Sequence, residues 1–407
     1  MYLTANRRLP FSASRRLARE GWSVDDNERV YGAGRERRWG TGANYQAHIV
    51  LEGTLSPRTG MLVNLSAVRE TLGAHVDRRY DHRFLNVDTP PFDQVPPTPE
   101  NLARQLLAEA QEVCRGIEAH PVVCHVAESP LTGAVAYASG AIEREYSLSF
   151  SAARRTWSPH LSEEENLDWF GRASLPEGHG HGYVLRVVLR GPLEEATGLI
   201  VEHAGAASAL RALHARVDHR NLNVALSELH DRPMTTESLA RFVFDRLRTD
   251  LPVARVRLHE TPAFFAEFDG SRFGLGLERT FSAVHRLGQP GLSDEENRGL
   301  FGKCANPNGH GHRYDVQALV TGVLDERTGT LFSLQRFDEV LRDVLDLWDQ
   351  THLDLDSDDF QELPTTGEHI ALRLWPRLDT RLDGQLARLR LSETENNRFT
   401  LRLGKDS

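Results

Sequence analysis

The sequence predicts an α+β protein built from three tandem copies of one unit. Segments that begin Phe-Ser-Ala start at Phe11, Phe150 and Phe281, so the starts lie 139 and 131 residues apart. A period of this size indicates repeated domains rather than a solenoid. Each copy also alternates apolar and polar residues on both sides of a glycine-containing turn, which is typical of a hairpin. Helical patterns follow the hairpin, so we expect a sheet in one layer and helices in another.

The elements follow the same order in each copy. The first hairpin lies in NYQAHIVLEGTLSPRTGMLVNL, GYVLRVVLRGPLEEATGLIVEH and RYDVQALVTGVLDERTGTLFSL. A later helix begins at PTPENLA, MTTESLA and TTGEHIALRLW, where a Thr precedes an apolar run and a Glu follows, as at an N-cap. A strand comes next in VVCHVAESP, VRVRLHETP and ARLRLSETE. Each copy therefore reads as two strands, a helix, a loop, a second helix and two strands, over residues 1–140, 141–269 and 270–407.

Composition excludes several classes of function. A formal charge of −10 argues against nucleic acid as the main partner, because the phosphate backbone requires a basic protein face. Only three cysteines occur, so no disulfide framework is indicated, and a reducing cytoplasm fits. The N-terminus lacks the apolar run of a signal peptide, and no segment reaches the roughly 18 apolar residues of a membrane helix. We expect a cytoplasmic protein with no membrane partner.

Three histidines in the third copy form a candidate metal site. His310 and His312 are two residues apart, and in a β-strand such side chains point to the same face. His285 lies on a preceding apolar strand and could supply a third nitrogen. A single histidine in a strand is usually structural, but three imidazoles with an open fourth position are typical of a catalytic zinc site. Cys304 precedes His310 by six residues, so we expect it in the same pocket, where its alternative role is a small buried apolar residue.

The motifs around these residues resemble a known family. FSAVHRL, LSDEENRGLFGKCANPNGHGHRY, VTGVLDERTG and LRLSETENN are similar to the 6-pyruvoyl-tetrahydropterin synthase family, which includes 6-carboxy-tetrahydropterin synthase. The resemblance covers nearly all of residues 270–407. It implies the tunnelling fold, in which three units, each a four-stranded antiparallel sheet with two helices, close into one twelve-stranded barrel. The family stacks two such trimers, so the resemblance implies a homodimer of this pseudo-trimeric chain.

The candidate metal site is degenerate in the first two copies. The first copy has Arg15 at the position of His285, and Thr41 and Ala43 at the positions of the other two ligands. The second copy keeps a His-x-His pair, His179 and His181, but has Arg154 in place of the first ligand. An arginine cannot lose its proton and repels a cation, so the second copy is expected to bind an anion or to be a remnant. The counterparts of Cys304 are Ala173 and Gly34, which leaves one active site per chain.

An Asp-His pair follows the first helix of two copies. The pairs are Asp81–His82 and Asp218–His219, and the aligned residues of the third copy are Asp349 and Gln350, with His352 nearby but out of register. The resemblance implies that such a pair, supplied by an adjacent unit, completes the site around Cys304. A glutamine cannot carry a proton in acid–base catalysis, so the first or second copy has to supply the histidine, together with the aspartate that orients it. The alternative is that these residues only close a turn.

Conserved positions within the repeat also suggest substrate contacts. By resemblance, Glu393 binds the amino-pyrimidinone edge of a pterin, because a carboxylate accepts two parallel N–H bonds. Its counterparts are Glu128 and Glu260. Glu368 and its counterparts, Glu100 and Glu237, lie near the pterin pocket by the same analogy, with helix capping expected as their primary role.

The resemblance implies a zinc-dependent lyase that acts on 7,8-dihydroneopterin triphosphate. Elimination of triphosphate gives a 6-pyruvoyl product, and further carbon–carbon cleavage gives a 6-carboxy product; the segment ANPNGHGH is more similar to the pyruvoyl type. A catalytically inactive pterin- or purine-binding or scaffolding protein is the alternative. A cyclohydrolase-like activity on a guanine nucleotide is a third hypothesis.

Overall fold

The computed structural model describes residues 1–404, which form three similar units in sequence. The strands are β1 Tyr2–Arg15, β2 Thr41–Gly53, β3 Arg83–Phe84, β4 Ala119–Ser129, β5 Thr132–Tyr137, β6 Ile142–Arg154, β7 His179–Arg190, β8 Arg220–Asn221, β9 Val253–His259, β10 Phe264–Phe268, β11 Phe273–His285, β12 His310–Gly322, β13 Thr351–His352, β14 Leu386–Ser392 and β15 Asn397–Arg402. The helices are α1 Val24–Tyr31, α2 Leu65–Val68, α3 Ala74–Arg79, α4 Leu85–Asp88, α5 Pro99–Val113, α6 Glu163–Phe170, α7 His203–Val217, α8 Leu222–Ala225, α9 Thr236–Leu247, α10 Asp294–Phe301, α11 Leu334–Leu345, α12 Leu353–Asp356 and α13 Gly367–Arg381. Strands β1 to β5 belong to unit one, β6 to β10 to unit two and β11 to β15 to unit three.

Twelve of these strands close into one antiparallel barrel. The order around the barrel is β1-β2-β4-β5-β6-β7-β9-β10-β11-β12-β14-β15, and β15 returns to pair with β1. Units one and two join at β5–β6, units two and three at β10–β11, and units three and one at β15–β1. The three two-residue strands each pair in parallel with the first strand of their own unit. This closed arrangement confirms the prediction of a pseudo-trimeric twelve-stranded barrel. Because the sheet is closed, the edge strand of each unit is paired with a strand of the next unit.

The long helices cover the outside of the barrel. Helix α13 packs on β14 and β15, and it buries Ile370, Ala371, Leu374 and Leu378 along one stripe. Such a stripe at spacings of three and four residues is what drives an amphipathic helix onto a sheet. Most buried apolar residues of units one and three merge into one core, whereas most of those of unit two form a separate core. The junction between units three and one is therefore bridged by continuous apolar packing.

A threonine begins the last long helix of each unit and also ties that unit to its neighbour. Thr366 accepts a hydrogen bond from the N–H of His369, which caps α13, and its hydroxyl donates to the carbonyl of Gly60 at 2.9 Å. Thr98 and Thr235 do the same at the other junctions, donating to Gly198 at 2.6 Å and Gly329 at 2.7 Å. The N-cap prediction at these threonines agrees with the structure. One hydroxyl thus serves a helix end and a unit junction at once.

A short helix between the first two strands of each unit is absent from the predicted element order. It is α1, α6 or α10, and in the last two cases a capping box begins it, Ser162 with Glu165 and Ser293 with Glu296. The signal Ser-x-x-Glu was present in the sequence. In unit three the helical turn Gly302–Ala305 follows α10 and carries Cys304. Among the described helices, none combines the length and the apolar character that a membrane crossing requires.

Candidate active site

Three histidines meet where β11 pairs with β12. His285 ends β11 and lies directly opposite His310, which begins β12, while His312 follows on the same face. The ring centroids are 4.5 Å apart for His285 and His310, 5.2 Å for His285 and His312, and 5.0 Å for His310 and His312. One ligand nitrogen of each ring lies within 4.8 Å of the others. The structure therefore brings together the three side chains that the sequence predicts as metal ligands.

His285 is oriented as a metal-binding histidine would be. Its Nδ1 lies 2.8 Å from the carbonyl oxygen of Thr365, so Nδ1–H donates and the lone pair is left on Nε2. That Nε2 is buried and has no hydrogen-bond partner among the described residues. Burial lowers the pKa of His285 to about 3, and the neighbouring imidazoles add to the effect, so the ring is neutral at physiological pH. A neutral imidazole with a free, fixed lone pair is a suitable ligand for a divalent ion.

Cys304 and Glu393 stand beside the three imidazoles. Glu393 Oε1 lies 3.8 Å from Nε2 of both His285 and His312. Cys304 carries a free, half-buried thiol. Its backbone carbonyl accepts a hydrogen bond from the N–H of Leu287 at 2.9 Å, so the turn that carries Cys304 is held next to the end of β11. Burial, followed by the charge of Glu393, raises the pKa of the Cys304 thiol and outweighs Lys303. The chain's own residues therefore favour the protonated thiol over the thiolate.

Two cavities meet at Cys304 and Glu393. One, of about 100 Å³, also contains Glu368 and is closed by Val63 and Leu65 of unit one. The other, of about 690 Å³, contains His310 and His312 and is bordered by Arg7, Arg69 and Asp77 of unit one. The neighbour of the Cys304 site within the chain is therefore unit one, a point that the sequence left open.

Glu368 lines the smaller cavity. Its side chain is buried, with 1% of the residue exposed, and its Oε1 accepts from the N–H of Leu62 in unit one at 2.8 Å. Burial raises the pKa of Glu368 to about 7. The capping of α13 is done by Thr366 rather than by Glu368, so the carboxyl group faces the junction instead of the helix end.

In unit two an arginine replaces the first histidine and occupies the site. Arg154 Nη2 donates to Glu260 Oε2 and, at 2.8 Å, to Thr236 Oγ1. The other oxygen of Glu260 lies 3.1 Å from His181 Nε2 and 3.5 Å from His179 Nε2. Burial opposes ionisation of Glu260, but Arg154 outweighs it and holds the pKa of Glu260 well below its ordinary value. The guanidinium thus neutralises the carboxylate where unit three has open imidazole nitrogens.

In unit one the corresponding site is filled by two arginines. Arg15 and Arg35 each form an ion pair of 2.6 Å with Glu128, one on each carboxylate oxygen. Burial would raise the pKa of Glu128, but these arginines outweigh it and lower the pKa to about 2. Arg144, from unit two, lies 3.3 Å from the buried Glu100 and neutralises it as well. The carboxylates of unit one are therefore engaged by the chain itself.

The Asp-His pairs lie in exposed turns. Asp81 Oδ1 accepts from the N–H of Ser12 at 2.7 Å, and the N–H of His82 donates to the carbonyl of Ser12 at 2.6 Å. The imidazole of His82 bonds Asp81 at 2.7 Å and is 83% exposed. Asp218 and His219 repeat this arrangement on Ser151.

Unit three makes the same turn without the histidine. Asp349 accepts from the N–H of Ser282 at 2.7 Å, and Gln350 has a φ of 59°, matching 55° at His82 and 54° at His219. The alignment of Gln350 with the two histidines is therefore structural. Among residues 1–404, the side chains that border the two cavities at Cys304 include neither Asp-His pair nor Asp349. Their catalytic role stays a prediction, and closing a turn is the role that the geometry shows.

Sequence reasoning missed several residues of the site. His352 is out of register in the sequence and was therefore not predicted as a site residue. His352 lies in β13 opposite Val284 of β11, and its Nε2 lies close to Gly309, which precedes His310. Leu62 contributes only a backbone N–H, which leaves no trace in side-chain patterns. Arg35 and Arg144 complete the neutralisation of unit one, and their partners lie far away along the chain. Of these contacts, the one between Leu62 and Glu368 depends on the closure of the barrel, which brings unit three against unit one.

Comparison with known proteins identifies one family that matches all three units. A family model described as 6-pyruvoyl tetrahydropterin synthase matches residues 4–138, 142–271 and 275–403. The 6-pyruvoyl tetrahydrobiopterin synthase of Homo sapiens is 41% identical over 120 residues, which are 29% of this chain and 83% of that protein. The dihydroneopterin monophosphate aldolase of Pyrococcus furiosus is 31% identical over 102 residues, 25% of this chain and 79% of that protein. The solved 6-pyruvoyl tetrahydropterin synthase of Caenorhabditis elegans is 32% identical and covers 33% of this chain and 96% of its own, with a TM-score of 0.32. The family match repeats once per unit.

Proposed function

The chain belongs to the 6-pyruvoyl tetrahydropterin synthase family, and on that basis we propose that it is a metal-dependent pterin lyase with one active site, at the junction of units three and one. The substrate we propose is 7,8-dihydroneopterin triphosphate, from which triphosphate is eliminated. The geometry that supports this most strongly is the convergence of His285, His310 and His312, with an unpartnered buried Nε2 on His285, beside a free cysteine.

The metal that we propose for this site is zinc. Three imidazole ligands suit Zn²⁺, and the donor set leaves a coordination position for substrate. The orphaned Nε2 of His285, with its Nδ1–H held by the carbonyl of Thr365, fits a metal ligand better than it fits a structural histidine. When bound, the ion would supply Lewis acidity toward the side-chain hydroxyls of the substrate.

The remaining groups of the site have distinct proposed roles. Cys304 exchanges a proton with the substrate carbon next to the ring, since it is the one free thiol that borders both described cavities. Glu393, which borders both cavities, accepts from the amino-pyrimidinone edge of the ring, as the resemblance implies. Glu368, in the smaller cavity beside it, accepts from a further N–H of the same ring, and Val63 and Leu65 exclude water from that end. The Asp-His pair of unit one or of unit two is proposed to relay protons to and from the hydroxyls, as the resemblance implies.

The experiment is incubation of the purified chain with 7,8-dihydroneopterin triphosphate, followed by mass analysis of the products. We expect release of inorganic triphosphate and a 6-pyruvoyl product. The variant Cys304→Ala should lower turnover by at least about 100-fold, because it removes the proton-transfer group. Cys114→Ala, which alters a buried cysteine at the C-cap of α5, should not lower it.

Turnover that survives in Cys304→Ala would contradict the proposed mechanism. Tight binding with no product in the unmodified chain would instead support the inactive pterin-binding protein. A product lacking the three-carbon side chain would indicate carbon–carbon cleavage, as in the carboxy type.

A further inference from the structure

The three unit junctions carry equivalent carboxyl groups in different states. At the junction of units one and two, Glu100 is neutralised by Arg144. At the junction of units three and one, Glu368 accepts from Leu62 N–H beside the metal site. At the junction of units two and three, Glu237 accepts from the N–H of Leu331 at 3.2 Å and forms no ion pair with residues 1–404. At this third junction, therefore, the carboxyl group of Glu237 is not paired with an arginine of the described residues, and Arg154 instead of a histidine stands at the metal-ligand position.

A cavity of about 430 Å³ opens at this third junction. It is about four times the volume of the cavity beside Glu368, which is about 100 Å³. Glu237 lies in it with only 2% of the residue exposed, and burial raises the pKa of Glu237 to about 7. A large cavity with a few convergent polar groups is the usual form of a small-molecule site.

The walls of the cavity are suited to a flat ring. Trp169 and Phe170 come from unit two and Phe332 comes from unit three, so both units contribute aromatic side chains to the lining of the cavity. Trp169 Nε1 donates to Thr330 Oγ1 at 3.1 Å across the junction, which fixes the indole at the mouth, where it is 40% exposed. Aromatic side chains held in this way favour stacking of planar ligands.

The chemistry of catalysis is missing from the same cavity. Arg154 is held by Glu260, by Thr236 and, at 3.2 Å, by the carbonyl of Met234, so its charge is already satisfied. Ala173 lines the cavity at the position that Cys304 has in unit three. A ligand could bind here without meeting a thiol or an open metal site.

We propose that the junction of units two and three is a second binding site, which holds a planar heterocycle through its amidine or 2-amino-pyrimidinone edge and does not transform it. The ring stacks between Trp169 and Phe332, and its adjacent N–H donors face the carboxyl group of Glu237, since a carboxylate accepts two parallel N–H bonds. This proposal depends on the proposed function only in the choice of the ligand used to test it.

The test is the binding stoichiometry of 7,8-dihydroneopterin, which has no triphosphate to lose, measured by equilibrium dialysis on the full chain. We expect two molecules per chain, with quenching of Trp169 emission. In Glu237→Gln the stoichiometry should fall to one and the quenching should disappear. In Glu368→Gln the stoichiometry should also fall to one, but the quenching should remain. Trp169→Leu, which copies Leu300 of unit three, identifies the quenched tryptophan.

Two outcomes separate this proposal from the proposed function. One molecule per chain, removed by Glu368→Gln and not by Glu237→Gln, would overturn the second site and leave the active site intact. One molecule per chain that only Glu237→Gln removes would support the second site and contradict substrate binding at Glu368. If Glu237→Gln does not fold, Ala263→Phe fills the cavity instead, and two molecules bound in that variant would overturn the proposal.

Discussion

At the scale of single residues, exchanging a histidine for an arginine changes what a site can hold. His285 is neutral and offers a lone pair, whereas Arg154 keeps its proton and bonds the adjacent Glu260. The two units otherwise keep the same His-x-His pair on the same strand position. One side chain therefore separates an open metal site from a closed ion pair.

Restoring the histidine should restore the site. We expect Arg154→His to raise the metal content to about two ions per chain, because His179 and His181 are already within reach of Glu260 and of each other. Metal analysis after dialysis against zinc measures the effect, with circular dichroism to verify the fold. A metal content equal to that of the unmodified chain would show that more than Arg154 closes unit two.

The buried carboxyl of Glu368 predicts a dependence of stability on pH. Its pKa is about 7 in the folded chain and about 4.5 when unfolded, so the folded state binds the extra proton between these values. The associated stability is full below about pH 4.5 and is lost as the pH rises through about 7. Glu368→Gln should remove this loss, so its stability relative to the unmodified chain should rise by on the order of 1–3 kcal/mol between pH 5 and pH 8.

Thermal unfolding across that pH range measures the difference. The exposed Glu362→Gln is the matched control, because a solvated carboxyl should leave the pH profile unchanged. Parallel profiles for Glu368→Gln and the unmodified chain would mean that Glu368 titrates normally.

At the scale of elements, each unit junction depends on the start of one helix. The hydroxyl of Thr366 caps α13 and bonds Gly60 of unit one, and Thr235 does the same for α9 and unit three. We expect Thr366→Val and Thr235→Val each to cost about 1–3 kcal/mol of unfolding free energy, since each removes a cap and a buried hydrogen bond.

Only one of these two variants should affect catalysis. Thr366 lines the cavity beside Cys304 and Glu368, whereas Thr235 lines the cavity of the other junction. Turnover per folded molecule should fall in Thr366→Val and stay level in Thr235→Val. Equal losses in both variants would place the active site elsewhere or show that the junctions are coupled.

Sequence patterns predicted the strands and long helices better than the contacts at the junctions between units. The alternation in FSAVHRL and GHGHRY specified two strands, and strand geometry then required His310 and His312 to share a face. The short helices α6 and α10 were missed although their capping boxes are plain in the sequence. The links from Arg144 to Glu100 and from Leu62 to Glu368 could not be predicted, because they depend on which unit follows which around the barrel.

At the scale of the whole molecule, the pseudo-threefold repeat leaves three exposed apolar side chains at equivalent positions, one in each unit. Val87, Val224 and Leu355 occupy the same position in the three short helices α4, α8 and α12, and they are 69%, 75% and 78% exposed. Symmetric apolar side chains suit an isologous contact with a second copy. We therefore propose that the chain forms a homodimer through these side chains.

The combined change Val87→Glu, Val224→Glu and Leu355→Glu should convert the dimer into a monomer, because it places like charges across the contact. Light scattering after size exclusion measures the mass. Val323→Glu, which alters an equally exposed residue outside this set, should stay dimeric. A triple variant of dimeric mass would show that these side chains do not form the interface.

The measurement that bears most directly on the account is the zinc content of the purified chain and of two matched variants. We predict about one zinc per chain, lost in His310→Ala and retained in His181→Ala, since only unit three presents three open imidazoles. No zinc in the unmodified chain, or zinc that persists in His310→Ala, would contradict a single metal site formed by His285, His310 and His312.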